Sequence, residues 1–262
     1  MVPGMALPYD AAELAPRDPV ASLFEVALGL ARPWQIEKIE FDPEGRRLDL
    51  HLGFPRGSRF ACPECGREGC PVHDTTTKEW RHLNFFQHEA YLHAEVPRVR
   101  CDEHGVRQVG VPWAREGSGF TLLFEALAMA LMREMPVRAA AKILGEHDTR
   151  LWRVLMHYVG AARAEQDHSQ VGRVGVDETS HRRGHSYVSL FADLERSQVL
   201  FATPGRESRT VECFKADLEA HGGKAEQIAE FSLDMSPAFR KGIETSFPTA
   251  GMTLTGTTSS SC

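Results

Sequence analysis

Two short pairs of metal-binding residues constrain the fold of this chain more than any other feature. The pairs are Cys62-x-x-Cys65 and Cys101-x-x-His104, and 35 residues separate them. Each pair follows a strand-like run and meets a Gly-containing turn, which aims two side chains at one point. Three thiolates and one imidazole complete a tetrahedral shell around zinc and leave no open position, so the sequence predicts a structural zinc site. The chain between the pairs then has to leave the site and return to it, and we expect it to do so as β-strands.

A third pair, Cys70-x-x-His73, competes for this assignment. Combined with Cys62 and Cys65, it would close a very small knuckle with almost no core, and the Cys101 pair would remain unexplained. We therefore interpret Cys70 and His73 as bystanders. Because the chain has six cysteines and no secretory signal at its N-terminus, we expect a cytoplasmic protein whose thiols bind metal or stay free.

The charge and the apolar runs limit the partners. A formal net charge of -6 excludes a basic protein that coats nucleic acid or an anionic membrane along its whole surface, so any contact with nucleic acid has to be local. The longest apolar run, FTLLFEALAMALMREM, contains Glu125 and is shorter than the ~20 residues of a membrane-spanning helix. We predict a core helix there and no membrane partner.

Changes in hydrophobic period divide the chain. Alternating runs in the first half predict strands, a helical period begins near Gly119, and three strands, a helix and a buried strand follow ARAEQDHSQ. The final GMTLTGTTSSSC has low complexity and is expected to belong to no packed element. The predicted fold class is α+β and multidomain, with an N-terminal segment at 1–29, a β-rich zinc-ribbon module at 30–117, a helix-turn-helix module at 118–168, an incomplete α/β domain at 169–250 and an unstructured tail at 251–262.

The helical module has the length of a helix-turn-helix. A short helix, a break at Gly145 and a second helix follow one another in MPVRAAAKILGEHDTRLWRVLMHYV. In the second helix, apolar residues form one face and cations project from the other, which is the division that a DNA recognition helix needs. An ordinary solvated face is the competing interpretation, and this pattern alone favours it. The predicted DNA-binding residues are Lys142, Arg150 and Arg153.

Two aspartates mark strand ends in the last part of the chain. Asp177 follows RVGV, and Asp234 follows EFSL after three strands and a helix. If these strands are neighbours in one sheet, the two carboxylates can share divalent cations about 3.5–4 Å apart, and magnesium suits such oxygen ligands. Acids that only cap the turn after each strand are the alternative, and two aspartates alone do not decide between these interpretations.

Taken in order, these parts resemble the ISL-three group of bacterial insertion-sequence DDE transposases. The resemblance covers roughly residues 33–250 and rests on CPEC, WRHLNFFQHEAYLHAEVPRVRCDEHGV, ILGEHDTRLWR, VGVDETSHRRGHSYVSLFADLE, TPGR and SLDMSPAFRKGI. It implies a zinc ribbon, a helix-turn-helix and a ribonuclease-H-like catalytic domain. By this similarity, Asp177 and Asp234 match the first two acids of the catalytic triad, and the two chelating pairs match the ribbon ligands.

The resemblance also implies an activity and its partners. A member of this group is expected to bind the inverted-repeat ends of its element, to cut and join DNA with magnesium or manganese at the acidic site, and to keep a structural zinc ion. The resemblance allows a homo-oligomer assembled on DNA. It further implies a bacterial, cytoplasmic protein that associates with the nucleoid.

One departure from the group concerns the third acid. Members of the group continue beyond the second aspartate to a long helical region that carries this acid, whereas the present sequence turns into the low-complexity stretch at Gly251. The acids Glu178, Glu230 and Glu244 do not occupy that position. We therefore expect a C-terminally truncated copy without transposase activity. A non-catalytic DNA-binding remnant or regulator of transposition is the alternative, and a ribonuclease-H-like nuclease would need a third acid close by.

Overall fold

The computed structural model describes residues 18–182, 186–234 and 236–254. The chain divides into two compact units, Met1–Leu155 and Met156–Cys262. Within the described residues, no helix combines the length and the apolarity that crossing a membrane requires. Each unit has its own sheet and its own hydrophobic core.

A six-stranded sheet builds the first unit. Its strands lie in the order β1-β2-β5-β4-β3, and β6 pairs with the end of β5. β2 and β5 are parallel, and the other pairs are antiparallel. The strands predicted from alternating runs in this half are present, and Asp42 Oδ1 closes the turn between β1 and β2 by accepting a hydrogen bond from Gly45 N–H at 2.8 Å. The strands are β1 (Gln35–Asp42), β2 (Arg47–Gly53), β3 (Arg59–Phe60), β4 (Cys70–Phe85), β5 (His88–Cys101) and β6 (Gly105–Gln108).

The core of this unit forms on one face of the sheet. Alternate residues of β2 and β5 point to the same side, as the period of a strand requires. A preceding helix, α1 (Pro19–Ala27), places Phe24 against this core. Trp113 packs edge-on against both Trp34 and Trp80, with ring centroids 4.8 and 5.6 Å apart. The buried strand residues are Leu48, Leu50, Leu52, Ala90, Leu92 and Ala94.

Three helices follow the sheet: α2 (Leu122–Glu134), α3 (Val137–Leu144) and α4 (Asp148–Ala164). Thr121 caps α2, because its hydroxyl oxygen accepts the N–H of Phe124. Gly145 ends α3 in the left-handed conformation with φ 70°, which residues with a Cβ rarely adopt. The predicted short helix, break and second helix are therefore present, and Leu151 and Val154 are buried on the inner face of α4.

A buried arginine joins the sheet to these helices. Arg81 lies on β4 and is 2% exposed, and its guanidinium donates to the carbonyl of Ala90 at 3.2 Å. The same guanidinium lies 3.9 Å from the carboxylate of Glu146, in the turn between α3 and α4. The backbone of Arg81 also bonds to Gly119 and Thr121, just before α2. A buried charge is costly unless it keeps such partners. The contacts of Arg81 with residues before α2 and between α3 and α4 therefore hold these helices against the sheet.

A five-stranded sheet builds the second unit, in the order β11-β10-β7-β8-β9. β7, β8 and β9 are antiparallel, whereas β10 runs parallel to β7, and β11 runs parallel to β10. Phe214 of α5 stacks on Phe191 of β8 with ring centroids 4.4 Å apart, and it also contacts Phe231 of β10. The elements are β7 (Arg173–Arg182), β8 (Ser186–Asp193), β9 (Gln198–Pro204), α5 (Ser208–Ala220), β10 (Glu230–Leu233), α6 (Pro237–Ser246) and β11 (Gly251–Leu254).

Strand β11 corrects one expectation. The stretch from Gly251 was expected to belong to no packed element, but residues 251–254 form a strand beside β10. Met252 packs against the core, and the hydroxyl of Thr253 donates to Glu230. Four residues are too few for a clear period-two signal, and the low-complexity composition hid the strand. The rest of the predicted tail, residues 255–262, lies outside the described residues.

Replacing Arg81 by methionine should destabilise the first unit by roughly 3 kcal/mol, because the change removes a cation that pairs with a buried carboxylate. Arg98→Met is the matched control. Arg98 makes a half-exposed ion pair with Asp74 on the same sheet, so its replacement should cost at most about 1 kcal/mol. Urea unfolding followed by tryptophan fluorescence reports on this unit, because all four tryptophans lie in it. Equal destabilisation of the two variants would contradict the role given to Arg81.

Candidate metal centres and nucleic-acid interface

One cluster in the first unit unites the two predicted chelating pairs. Ligand atoms of Cys62, Cys65, Cys101 and His104 all lie within 4.8 Å of one another. The sulfurs of Cys65 and Cys101 are 3.8 Å apart, and His104 Nδ1 lies 3.7 Å from the Cys101 sulfur and 3.9 Å from the Cys62 sulfur. Two sulfurs bound at ~2.3 Å to one tetrahedral zinc ion are ~3.8 Å apart. The cluster therefore has the donor set and the dimensions of a closed zinc site.

Two tight turns position these ligands. The N–H of Gly66 donates to the carbonyl of Cys62 at 2.9 Å, which folds the first pair back on itself. Cys101 pairs with Gly105 across the hairpin of β5 and β6, so His104 falls in the turn between them. Gly66 and Gly105 have φ values of 71° and 67°, which is why glycine suits both positions.

The competing pair lies outside the cluster. Cys70 pairs with Phe60 where β3 meets β4, and burial raises the pKa of its thiol. In contrast, hydrogen bonding with His104 lowers the pKa of Cys101 to about 6. The thiolate is the form of cysteine that binds metal, so the lowered pKa suits Cys101 as a ligand. Cys70 is excluded by its position, because it does not belong to the cluster. His73 does not belong to any metal-type group among the described residues.

The three cations predicted to bind DNA differ in their surroundings. Lys142 on α3 and Arg153 on α4 are exposed. The guanidinium of Arg150 instead lies over the ring of Phe120, 4.1 Å from the centroid, and it bonds to Glu146 at 2.5 Å. Arg150 therefore supports the turn of the helix-turn-helix, and its contact with DNA stays a prediction.

Reasoning from the sequence missed Glu146, which positions this turn. Its side chain is 7% exposed and lies between the guanidinium groups of Arg81 and Arg150. A glutamate directly after Gly145 has the sequence context of a solvated turn residue. Its burial depends on an arginine far away on β4, and no local pattern indicates that contact.

The two predicted aspartates lie at the same level of neighbouring parallel strands. Leu233 of β10 pairs with Val176 of β7, and Asp234 and Asp177 are the next residues of each strand. β10 ends at this level, whereas β7 continues. Both aspartates are exposed. The condition that the two strands are neighbours in one sheet is therefore met.

No third acid joins this pair within the part of the chain that the structure describes. Two groups of three or more His, Cys, Asp or Glu side chains have metal-type spacing there, and neither contains Asp177 or Asp234. Glu178 follows Asp177 on the strand, so it points to the opposite face of the sheet, where its carboxylate lies 3.9 Å from Arg206. Glu230 carries an ion pair with an arginine at the start of β7.

The modules define a class of protein in which a zinc ribbon and a helix-turn-helix precede a ribonuclease-H-like sheet with paired carboxylates. Three family models match the chain in this order. The zinc-finger of transposase IS204/IS1001/IS1096/IS1165 matches residues 58–104, the helix-turn-helix domain of transposase family ISL3 matches residues 110–159, and the DDE transposase model of the same family matches residues 174–254. The chain therefore belongs to transposase family ISL3, the group that its sequence resembles.

Curated relatives agree with this assignment. The chain is 30% identical over 224 residues to the transposase for insertion sequence element IS1557 of Mycobacterium tuberculosis, which covers 81% of this chain and 49% of the relative. It is 28% identical over 229 residues to the transposase for insertion sequence element IS1001 of Bordetella parapertussis, which covers 86% of this chain and 55% of the relative. The chain thus spans about half the length of the curated relatives it matches.

Among solved structures, the chain is similar to a chain of the simian T-cell lymphotropic virus intasome in complex with PP2A regulatory subunit B56 gamma. The match covers 47% of this chain and 48% of that chain, with 18% identity and a TM-score of 0.27. A likeness this weak supports no conclusion about the fold.

Cys101→Ser should bind about one zinc ion fewer per chain than the wild type, since it removes one of four ligands from a closed site. It should also lower the thermal midpoint of the tryptophan fluorescence transition, because zinc joins two turns that are far apart in sequence. The measurement is zinc content by mass spectrometry after gel filtration. Cys70→Ser is the control and should keep the full zinc content. If Cys70→Ser lost the zinc ion and Cys101→Ser kept it, the site would be reassigned to the competing pair, Cys70 and His73.

Proposed function

We propose that this chain supplies the DNA-recognition modules and part of the metal site of an insertion-sequence transposase, with the inverted-repeat ends of the element as its DNA partner. The observation that supports the proposal is the pairing of Leu233 with Val176, directly before Asp234 and Asp177, in a chain that also has the ribbon and helix-turn-helix of family ISL3. Cutting a phosphodiester needs both DNA held in place and metal ligands at the bond. Action at the nucleoid, and assembly of a homo-oligomer on paired ends, belong to the same proposal.

The proposed DNA interface is the exposed side of α3 and α4. Lys142 and Arg153 can reach phosphates or base edges there, and neither shows an ion pair within the described residues. Arg150 holds Glu146 and keeps the turn between the helices fixed, so any contact that it makes with DNA adds to a structural role. A chain of net charge -6 that presents cations on one helical face fits local rather than general binding to DNA.

Asp177 and Asp234 are the proposed ligands of a magnesium or manganese ion. Carboxylates are the oxygen ligands that these hard cations prefer, and each aspartate directly follows a residue of the last backbone pair between β7 and β10. When bound, the ion activates an attacking oxygen and stabilises the leaving oxygen. In the complete reaction of the family, water attacks a phosphodiester at the element end, and the freed 3′-hydroxyl then attacks target DNA.

We also propose that the residues of this chain bind the ion without cutting DNA on their own. Two carboxylates fix an ion incompletely, and a displacement near 1 Å can cost ~100-fold in rate. This proposal is supported by the clusters of possible metal ligands among the described residues, because none of them adds a third acid to Asp177 and Asp234. The same observation favours a second candidate function, a non-catalytic DNA-binding protein that regulates transposition by complete copies.

The double variant Lys142→Ala, Arg153→Ala should bind DNA more weakly than the wild type. If both side chains neutralise phosphates, the slope of log affinity against log salt should fall by about 0.9 for each cation that is removed. If they read bases, each substitution should cost about 1–3 kcal/mol and relax specificity. Fluorescence anisotropy with a duplex from the flanking inverted repeats, and with a scrambled duplex, measures both effects.

Two control variants sharpen this test. Arg32→Ala removes an exposed arginine outside the helical module and should leave the affinity unchanged. Arg150→Ala separates the two roles of Arg150, because a disrupted turn lowers the stability of the first unit, whereas a missing phosphate partner lowers the salt slope. Unchanged affinity in the double variant would contradict the interface and favour a solvated face.

The purified chain should not nick DNA that carries the element ends in magnesium or manganese above the level of its Asp177→Ala variant, since no third acid joins the two aspartates among the described residues. The measurement is conversion of a supercoiled plasmid to the nicked form. Magnesium-dependent nicking that Asp177→Ala abolishes would contradict the proposal. In that case Glu178, Glu230 and Glu244 would be the acids to replace next.

A further inference from the structure

A second metal-type cluster lies in the second unit and is separate from the aspartate pair. It consists of His168 in the loop before β7, Asp217 near the end of α5, and His221 directly after that helix. One possible ligand atom from each side chain lies within 4.8 Å of those of the other two. The imidazole rings are close, with centroids 4.9 Å apart.

The cluster contains buried polar atoms that the protein leaves unsatisfied. His168 is 2% exposed, and both of its ring nitrogens lack a hydrogen-bond partner. Oδ2 of Asp217 is also buried without a hydrogen bond, and His221 Nδ1 lies 3.6 Å from it. Native proteins leave few such atoms, because each one loses its bonds to water without compensation. Two of the three side chains therefore have buried nitrogen or oxygen atoms without a hydrogen-bond partner, and such atoms can bind a metal ion. This indicates that a ligand binds in the cluster.

Neighbouring contacts hold the three side chains in place. Arg163 bonds to Oδ1 of Asp217 at 2.5 Å, which leaves Oδ2 facing the cluster. Nδ1 of His221 donates to the backbone carbonyl of Asp217 at 2.7 Å, so the lone pair of this ring lies on Nε2. Hydrogen bonds of this kind, from the second nitrogen to a carbonyl, orient histidines that bind metals.

The loop that carries His168 is fixed to the same region. The N–H of His168 donates to the carbonyl of His221 at 2.8 Å. The side-chain amide of Gln227 donates to the carbonyls of His168 and Val171 at 2.7 and 2.9 Å. A Cβ at Gly223 would lie 2.6 Å from the side chain of Leu218 and 3.1 Å from the carbonyl oxygen of His168, so glycine permits the close packing there. The cluster is therefore a built site and not a chance meeting of surface side chains.

We propose that His168, Asp217 and His221 bind one divalent transition-metal ion and that this ion fastens the loop before β7 to the end of α5. Two imidazoles and one carboxylate suit zinc, with water as a fourth ligand, whereas magnesium and calcium prefer oxygen ligands alone. The ion would stabilise the segment that leads into β7, the strand that carries Asp177. This role is structural and does not depend on DNA binding or on cutting.

The test counts zinc in the full chain after saturation with zinc sulfate and gel filtration. About two zinc ions per chain are expected, one in the closed Cys and His site and one in this cluster. Asp217→Asn and His221→Gln should each reduce the content by about one ion relative to the wild type. His157→Gln is the matched control, because His157 is an exposed histidine on α4 outside the cluster, and it should keep both ions.

Cobalt spectroscopy identifies the ligands independently. In the Cys62→Ser, Cys65→Ser double variant, bound cobalt should give visible absorption without the strong near-ultraviolet band of a thiolate complex. Adding Asp217→Asn to this double variant should abolish the visible absorption. A wild-type chain that binds only one zinc ion would overturn the proposal. Because this result concerns the wild type, it tests the proposal even if a variant fails to fold. Unchanged zinc content in a folded Asp217→Asn chain would overturn it as well.

Discussion

The parallel pairing of β10 with β7 is the constraint on which the second unit depends. In this register Phe231 lies beside Val174, and Leu233 lies beside Val176, and all four side chains are buried in one core. A shift by one residue would turn every side chain of β10 to the other face of the sheet. The same register brings the two aspartates to one level, so the packing of the core and the geometry of the acidic pair have one cause.

The first unit depends on contacts between parts of the chain that are distant in sequence. The long hairpin of β4 and β5 returns the chain, so that Cys101 meets Cys62 at the closed metal site. The same hairpin carries Arg81, whose buried guanidinium holds Glu146 in the turn between α3 and α4. The orientation of the helix-turn-helix on its sheet therefore rests on a charged contact, and Arg150 extends that contact to the start of α4. A fixed turn of this kind suits a helix-turn-helix, whose second helix has to be held in one geometry.

Local signals explain which parts of the fold and site the sequence could predict. The chelating pairs, the alternating strands and the break at Gly145 are each encoded within a few residues, and the structure contains all of them. Residues 251–254 were missed because a strand of four residues gives no clear period, and its partner β10 supplies the order. Glu146 was missed because its burial depends on a distant strand. The cluster around His168 lay between these cases. Asp217 and His221 stand four residues apart at the end of α5, but their third partner comes from a remote loop.

Asp177 and Asp234 can act on DNA together only if they share a divalent ion, so manganese binding tests their pairing most directly. The zinc-saturated chain would be titrated with manganese, and the free ion would be followed by electron paramagnetic resonance. The strand register predicts that the wild type removes about one manganese ion per chain from the free signal, that Asp177→Asn and Asp234→Asn each abolish this binding, and that Glu244→Gln keeps it. Equal manganese affinity in the wild type and in both aspartate variants would contradict the account.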